Sequence, residues 1–254
     1  MSIEQKIMCE YTKGTFQVTK QGKIDYAMSS TTAEWSCPKD TFCKKENVFI
    51  ETDKTFFGII TFGSNALILA DNKIIAWCAD TLSGIPAREI LDSEYLYLIQ
   101  KKLRENGKKL GEENTRYLHL YPERQVEKPQ GFTFELYEKD RVAELYEDNR
   151  FENALNYSVK GEVLAIIARS GEDIASIVGA DDYKLGFWQI GIDTISGYRG
   201  KGIAAYLVKE MALEIEKRNQ VPYYTTWHSN IASTRTALSA GFTPVWIDYF
   251  AEGL

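Results

Sequence analysis

The chain has 254 residues, of which 44% are hydrophobic and 13% aromatic, so it can bury a sizeable core and does not read as a disordered segment. A formal net charge of −6 disfavours nucleic acid and anionic membrane surfaces as partners. No run of 18 apolar residues offers a membrane-spanning helix, and the start, Met-Ser-Ile-Glu-Gln-Lys, lacks the apolar stretch of a signal peptide, so a cytoplasmic protein is expected.

The first half reads as α/β. Residues 47–62 are rich in β-branched and aromatic side chains. Ala66–Ala70 and Ile74–Cys78 look like two strands joined by Asp71-Asn72-Lys73 as a hairpin. A helix is expected from Ala87 to Asn106, with Gly107 as its stop, and Tyr117–Leu120 as a further strand. His119 reads as a structural strand residue. The cysteines, Cys9, Cys37, Cys43 and Cys78, form no Cys-x-x-Cys pair, and His119 and His228 complete the sequence's imidazoles. Reduced, mostly packed thiols are expected, and no structural metal site.

Pro122 to Gly131 holds two prolines, a glycine and four charges in ten residues. Such a segment buries little surface, so it reads as a linker. This divides the chain into a smaller α/β domain, 1–125, and a second domain, 126–254.

The second half reads more regularly. Phe132–Tyr137 is a strand candidate, Asp140 a candidate cap for a helix to Asn149, and Asn153–Tyr157 a helical turn. Val163–Arg169 and Asp173–Gly179 flank Ser170-Gly171-Glu172 as a hairpin. A strand, Phe187–Ile195, runs into Ser196-Gly-Tyr-Arg-Gly-Lys-Gly202. Ile203, Leu207, Val208, Met211, Ala212 and Ile215 then make one apolar stripe of a helix, with Glu214 and Arg218 paired at i, i+4 and Asn219 and Pro222 as stops. Strand Val221–His228, a helix opened by Ser229 or Asn230, and strand Pro244–Phe250 complete the order.

A strand, a glycine turn and a helix start make an anion cradle. Gly200 and Gly202 leave the backbone open to approach, and the first N–H groups of the helix lack intrahelical acceptors. These groups and the helix dipole suit a pyrophosphate. The turn lacks the spacing and hydroxyl of a P-loop, and no carboxylate stands where a dinucleotide fold needs one, since Tyr223-Tyr224-Thr225-Thr226 occupies that region.

Arg199, Gly202 and Ala204 instead match Arg/Gln-x-x-Gly-x-Gly/Ala. Downstream, Asn230 opens and Gly241-Phe242 closes a segment with the spacing Asn-x-x-Ala-x-x-x-Tyr-x-x-x-Gly-Phe. Over roughly residues 132–254 the sequence thus resembles the GNAT superfamily of acyl-CoA N-acyltransferases. The resemblance implies a mixed, splayed sheet flanked by helices, with the donor between two parting strands. It implies acetyl-CoA as acyl donor, held by the main chain of Ile192, Asp193 and Thr194 and by Arg199, Gly200, Lys201, Gly202, Ile203, Ala204, Ala205 and Asn230. Arg199 and Lys201 either add charge at the phosphates or are solvated loop cations. Asn230 reads both as helix cap and as a donor contact.

The sequence also departs from the family's pattern. Ser233 replaces Ala, and Ala237 stands in place of the tyrosine acid. The usual carboxylate positions hold Phe187-Trp188-Gln189 and Thr225. Tyr223 and His228 are therefore the candidate catalytic groups, with Tyr249 a further one. The expected activity is N-acetyl transfer to an amine, on a small molecule, without nucleic acid or membrane as partner. A non-catalytic acyl-CoA-binding module is the alternative.

Overall fold

The computed structural model describes residues 15–18, 24–27, 47–184 and 186–254. Cys9, Cys37 and Cys43 lie outside the described residues. The strands are β1 (Thr15–Val18), β2 (Ile24–Ala27), β3 (Val48–Glu51), β4 (Phe57–Thr61), β5 (Ala66–Ala70), β6 (Lys108–Leu110), β7 (Asn114–His119), β8 (Thr133–Glu138), β9 (Glu162–Ser170), β10 (Asp173–Lys184), β11 (Phe187–Thr194), β12 (Val221–Trp227) and β13 (Phe242–Gly253). The helices are α1 (Ile75–Leu82), α2 (Ser93–Arg104), α3 (Lys139–Val142), α4 (Ile203–Lys217) and α5 (Ile231–Ser239). Among the described residues no helix is long and apolar enough to cross a membrane.

Two units form. One reaches to Asn114 and includes Trp246–Leu254; the other is Thr115–Val245. The division precedes the Pro122–Gly131 loop because β7 is hydrogen-bonded beside β12. The end of β13 returns to the first unit, pairing Ile247–Phe250 with β4.

In the first unit the sheet order is β1-β2-β3-β5-β4, then the end of β13. Every residue of β4 and β5 is buried, which explains why Thr61 is their one polar side chain. The expected hairpin at Asp71-Asn72-Lys73 is not formed; Ile75–Leu82 is helical. Asp71 Oδ1 accepts from Lys73 N at 2.9 Å, and the Asp71 carbonyl accepts from Ile74 and Ile75 N, so the turn starts a helix. Ile74, Cys78 and Leu82 then fall at i, i+4, i+8 and are all buried against the sheet. Burial pushes the Cys78 thiol up to about 12, so it stays a packed, protonated group. The expected helix from Ala87 is present but starts at Ser93, after turns closed by Glu89 N to Pro86 O and Asp92 N to Glu89 O.

In the second unit the order is β7-β12-β11-β10-β9-β8. Pairs β8–β9, β9–β10 and β10–β11 are antiparallel and β11–β12 is parallel, so the sheet is mixed. The stripe expected of α4 is buried: Ile203, Leu207, Val208, Met211, Ala212 and Ile215 pack on Val178, Ala180, Ile190 and Tyr224. Each larger side chain there is worth about 1.5–3 kcal/mol over exposure. Glu214 accepts from Arg218 at 2.8 Å, as its spacing requires, and Asn219 ends the helix at φ 58°. Pro222 is no stop; it sits within β12, paired with Trp188.

The other face of β9 and β10 is covered differently. The expected helix capped by Asp140 is a single turn, α3, followed by the 3-10 segment Ala143–Glu147. The β8 register runs to Glu138, so the cap position falls there and not on Asp140. Val142, Leu145, Phe151, Ala154 and Leu155 bury against Ala165, Ile167 and Ile177.

Candidate functional site

The β11–β12 register runs from Phe187↔Val221 to Ile190↔Tyr224. Beyond that pair β11 continues to Thr194 and β12 to Trp227, and the two strands part. The exposed side of β11 follows from its ladder. Ile195 N donates to Ala175 O at 2.9 Å, so odd-numbered residues of β11 bond to β10. The N–H and C=O of Ile192 and Thr194 therefore point to the parted edge.

The side chains here have structural partners. The Asp193 carboxylate accepts from Asn153 N and Nδ2, both at 2.7 Å, and from Ala154 N at 3.0 Å. Its carbonyl accepts from Ser176 Oγ at 2.6 Å, and Ser176 Oγ lies 2.8 Å from Thr194 Oγ1. Asp193 thus anchors the 151–155 segment onto the sheet.

The glycine turn follows. Gly200 and Gly202 both sit at φ 77°, the left-handed region that glycine adopts without strain. A Cβ at either would meet nothing within 4 Å, so the space above the loop is open. Gly202 occupies the N-cap position without a side-chain cap, and the first helical bond runs from Tyr206 N to Gly202 O at 3.1 Å. The N–H groups of Ile203, Ala204 and Ala205 precede that bond and face the helix entrance. The Ile203 side chain is buried in the core, so only its main chain is presented. Arg199 Nε donates to Thr194 O at 3.0 Å, closing the turn. Lys201 lies 5.3 Å from the Tyr198 ring centroid and 5.8 Å from that of Phe132.

At the end of β12, Asn230 Oδ1 accepts from Ser233 N at 3.1 Å and caps α5. Trp227 and Ile231 beside it are 53% and 55% exposed, an unusual outlay of apolar surface next to a cleft. Tyr224 Oη lies 2.8 Å from Ser233 Oγ, so Ser233 binds the strand.

The two candidate catalytic groups stand apart. Tyr223 is buried opposite Gln189, and Arg116 Nη1 donates to its hydroxyl at 2.6 Å and to Thr225 Oγ1 at 3.1 Å. His228 is exposed just past the strand end. Along an extended strand their separation is about 16 Å, too far for one proton-transfer centre. Tyr249 donates to Glu113 at 2.7 Å within the first unit. His119 is structural: its Nδ1 is 2.7 Å from Glu216 Oε1, and its ring stacks near Phe242.

A further carboxylate pair has no signature in the sequence spacing. Asp181 on β10 stands across from Gln189 and from Glu162. Together they line a cavity of about 620 Å³ under the 149–158 segment. Asp181 Oδ1 is shut off from solvent without a hydrogen-bond partner. Burial first, and then the Glu162 charge, raise its carboxyl to about 6, against a hydrogen bond from the Gln189 main chain. Glu162 accepts from Asn156 N at 2.5 Å and from the Tyr146 hydroxyl. The β9–β10 and β10–β11 registers together reveal this grouping.

No protein-family model matches the chain, and no curated protein matches it in sequence. Solved structures are similar to it in fold. One is a GNAT-family structure from Novosphingobium aromaticivorans, at 17% identity, with 57% of this chain and 66% of that one covered and a TM-score of 0.43. Another is a GNAT-family acetyltransferase from Colwellia psychrerythraea, at 12% identity, with 93% and 80% covered and a TM-score of 0.45. A third is yncA from Salmonella typhimurium with its cofactor acetyl-CoA, at 13% identity, with 49% and 95% covered and a TM-score of 0.37.

Proposed function

We propose that the Thr115–Val245 unit is a GNAT-type N-acyltransferase that moves an acetyl group from acetyl-CoA to an amine on a small molecule. The observation that carries this reading is the parting of β11 and β12 beyond Ile190–Tyr224, immediately before a left-handed glycine loop that opens α4. An extended, amide-bearing arm and a diphosphate need those two features side by side.

In this reading the N–H groups of Gly200 to Ala205 hold the diphosphate, since a backbone without Cβ atoms admits close approach and the helix entrance favours negative charge. Ile192 and Thr194 offer main-chain groups to the pantetheine arm as an added strand would. The Asp193 side chain, already committed to Asn153 and Ala154, keeps that edge in place. Arg199 braces the loop through Thr194, and Lys201 places its charge nearby. Asn230 presents its N–H₂ group to the cleft while its oxygen caps α5. The donor's thioester supplies an activated carbonyl, which an unprotonated amine attacks directly; no cysteine or serine elbow adjoins the cradle.

Tyr223 is the candidate acid for the departing thiolate. Arg116 donates to its oxygen, so the phenol keeps a proton of its own to give. His228, at the exposed mouth, is assigned no proton transfer. Acetyl-CoA turnover with a panel of small amines, read by free thiol release, tests the reading. Release that requires both amine and acetyl-CoA is expected. Donor binding without release for any amine would favour a non-catalytic acyl-CoA-binding module, a reading motivated by Ala237 in place of the family's tyrosine.

A further inference from the structure

On the face of the second unit away from α4, polar side chains form one transverse row. Glu162 on β9 faces Asp181 on β10, Asp181 faces Gln189 on β11, and Gln189 faces Tyr223 on β12. Directly paired residues present their side chains on the same side of a sheet. Val178, Ala180, Ile190 and Tyr224 pack towards α4, so their strand neighbours of opposite parity face the other way.

Two glycines let the chain descend onto this face. A Cβ at Gly179 would overlap the Ala154 carbonyl oxygen, and one at Gly191 that of Asn153. Asp193 holds the same segment down from beyond. The result is the cavity of about 620 Å³, whose wall includes Asn149, Asn156, Glu162, Asp181 and Gln189. Its edge residue Gly191 precedes Ile192, whose main chain faces the parted edge. Inside, Glu162 spends its oxygens on Asn156 and Tyr146, whereas Asp181 Oδ1 has no partner and no solvent. A shielded acceptor in a polar cavity asks for a donor.

We propose that this cavity is the acceptor site of the transferase, that it takes a small cationic amine bearing a second polar or cationic group, and that the Asp181 carboxylate receives the proton of the reacting ammonium. The inference rests on the acyl-transfer reading above and deepens it. Gln189 occupies the strand position where a carboxylate is absent, and its cross-strand neighbour supplies one on the same face. The ammonium gives one proton to Asp181; the nitrogen lone pair forms the C–N bond at the thioester carbonyl. The C–S bond breaks with its electrons on sulfur, and the second nitrogen proton reaches the thiolate, with Tyr223 as the relay. Asp181 then returns its proton to solvent.

Among the described residues, the ionisable groups around Asp181 are Glu162 from β9, Tyr146 behind it, Glu152 and Tyr157 from the covering segment, Tyr223 beyond Gln189, and Asp182 next in the chain. Lys160 reaches the Tyr146 ring at 5.5 Å. The acidic excess suits a cation. With Asp181 held at about 6, roughly a tenth of it is ionised at pH 5.

The test has two arms. In the first, 1,4-diaminobutane is titrated calorimetrically into the whole protein without acyl donor, where no reaction occurs. Binding about tenfold weaker at pH 5 than at pH 7.5 is expected, and Asp181→Asn should remove the difference. Absent binding, or equal binding at both values, overturns the cavity assignment. In the second, kcat/KM for the amine is followed against pH. Asp181→Asn should lower it about 100-fold or more and abolish the acidic limb, with CoA affinity unchanged. A wild type that releases thiol while the variant keeps rate and limb sinks Asp181 alone. A wild type that releases none sinks the transfer reading instead. If the variant does not fold, the wild-type titration still decides.

Discussion

Arg116 on β7 donates a 2.6 Å hydrogen bond to the hydroxyl of Tyr223 on β12, and so brings a guanidinium to a phenol that stands beside Gln189 of the next strand. The guanidinium sits 5.7 Å from the Tyr223 ring centroid as well, so the ring is clamped at its tip and flank. A clamped phenol is what proton delivery to a fixed sulfur requires, because its reach must not vary from one turnover to the next.

Gly202→Asp should weaken CoA binding at least tenfold in a calorimetric titration. The left-handed backbone at φ 77° strains any Cβ by about 1–2 kcal/mol, and the carboxylate would stand against the diphosphate. Undiminished affinity would remove the glycine loop from the donor site.

Asp181→Asn should stabilise the fold at neutral pH while impairing turnover. A carboxyl raised from 3.8 to about 6 binds its proton more tightly in the folded state, so stability falls as pH rises from about 4 to about 6 and the full cost is present above that. The full shift corresponds to roughly 3 kcal/mol, and partial exposure screens it to about 1–2 kcal/mol. The variant's higher melting temperature should therefore be present at pH 7.5 and vanish below about pH 4, where both states hold the proton. A gain that persists at pH 3.5 would disprove the electrostatic origin.

Gly191→Ala should lift the 151–155 segment, since its methyl would collide with the Asn153 carbonyl. We expect a loss of about 1–3 kcal/mol in urea unfolding, and an amine KM raised more than the CoA Kd. An unmoved amine KM would argue that the covering segment does not shape the acceptor site.

His119→Ala should cost about 2–4 kcal/mol in stability, from the emptied space beside Phe242 and the lost bond to Glu216. CoA affinity should hold. A variant as stable as the parent but unable to bind CoA would reverse the structural assignment of this imidazole.

Much of the second unit could be read from residue order. The α4 stripe, its i, i+4 ion pair, the Ser170-Gly171-Glu172 hairpin and the Asn230 cap all depend on neighbours within a few positions, where periodicity and turn chemistry act. The glycine loop was legible for the same reason. The Ile74–Cys78 run was misleading because a short apolar stretch suits a buried strand and a buried helix face equally. Asp71 decided it by starting a helical turn.

Local order along the chain determined that a phosphate-suited turn joins a strand to an amphipathic helix. It could not say which carboxylate would face a cavity. Asp181 meets Gln189 and Glu162 only through strand register, and the cavity exists only because two distant glycines let a covering segment settle on the sheet. Register and close approach are set by contacts between residues far apart in sequence, so they become visible only when the sheet is assembled.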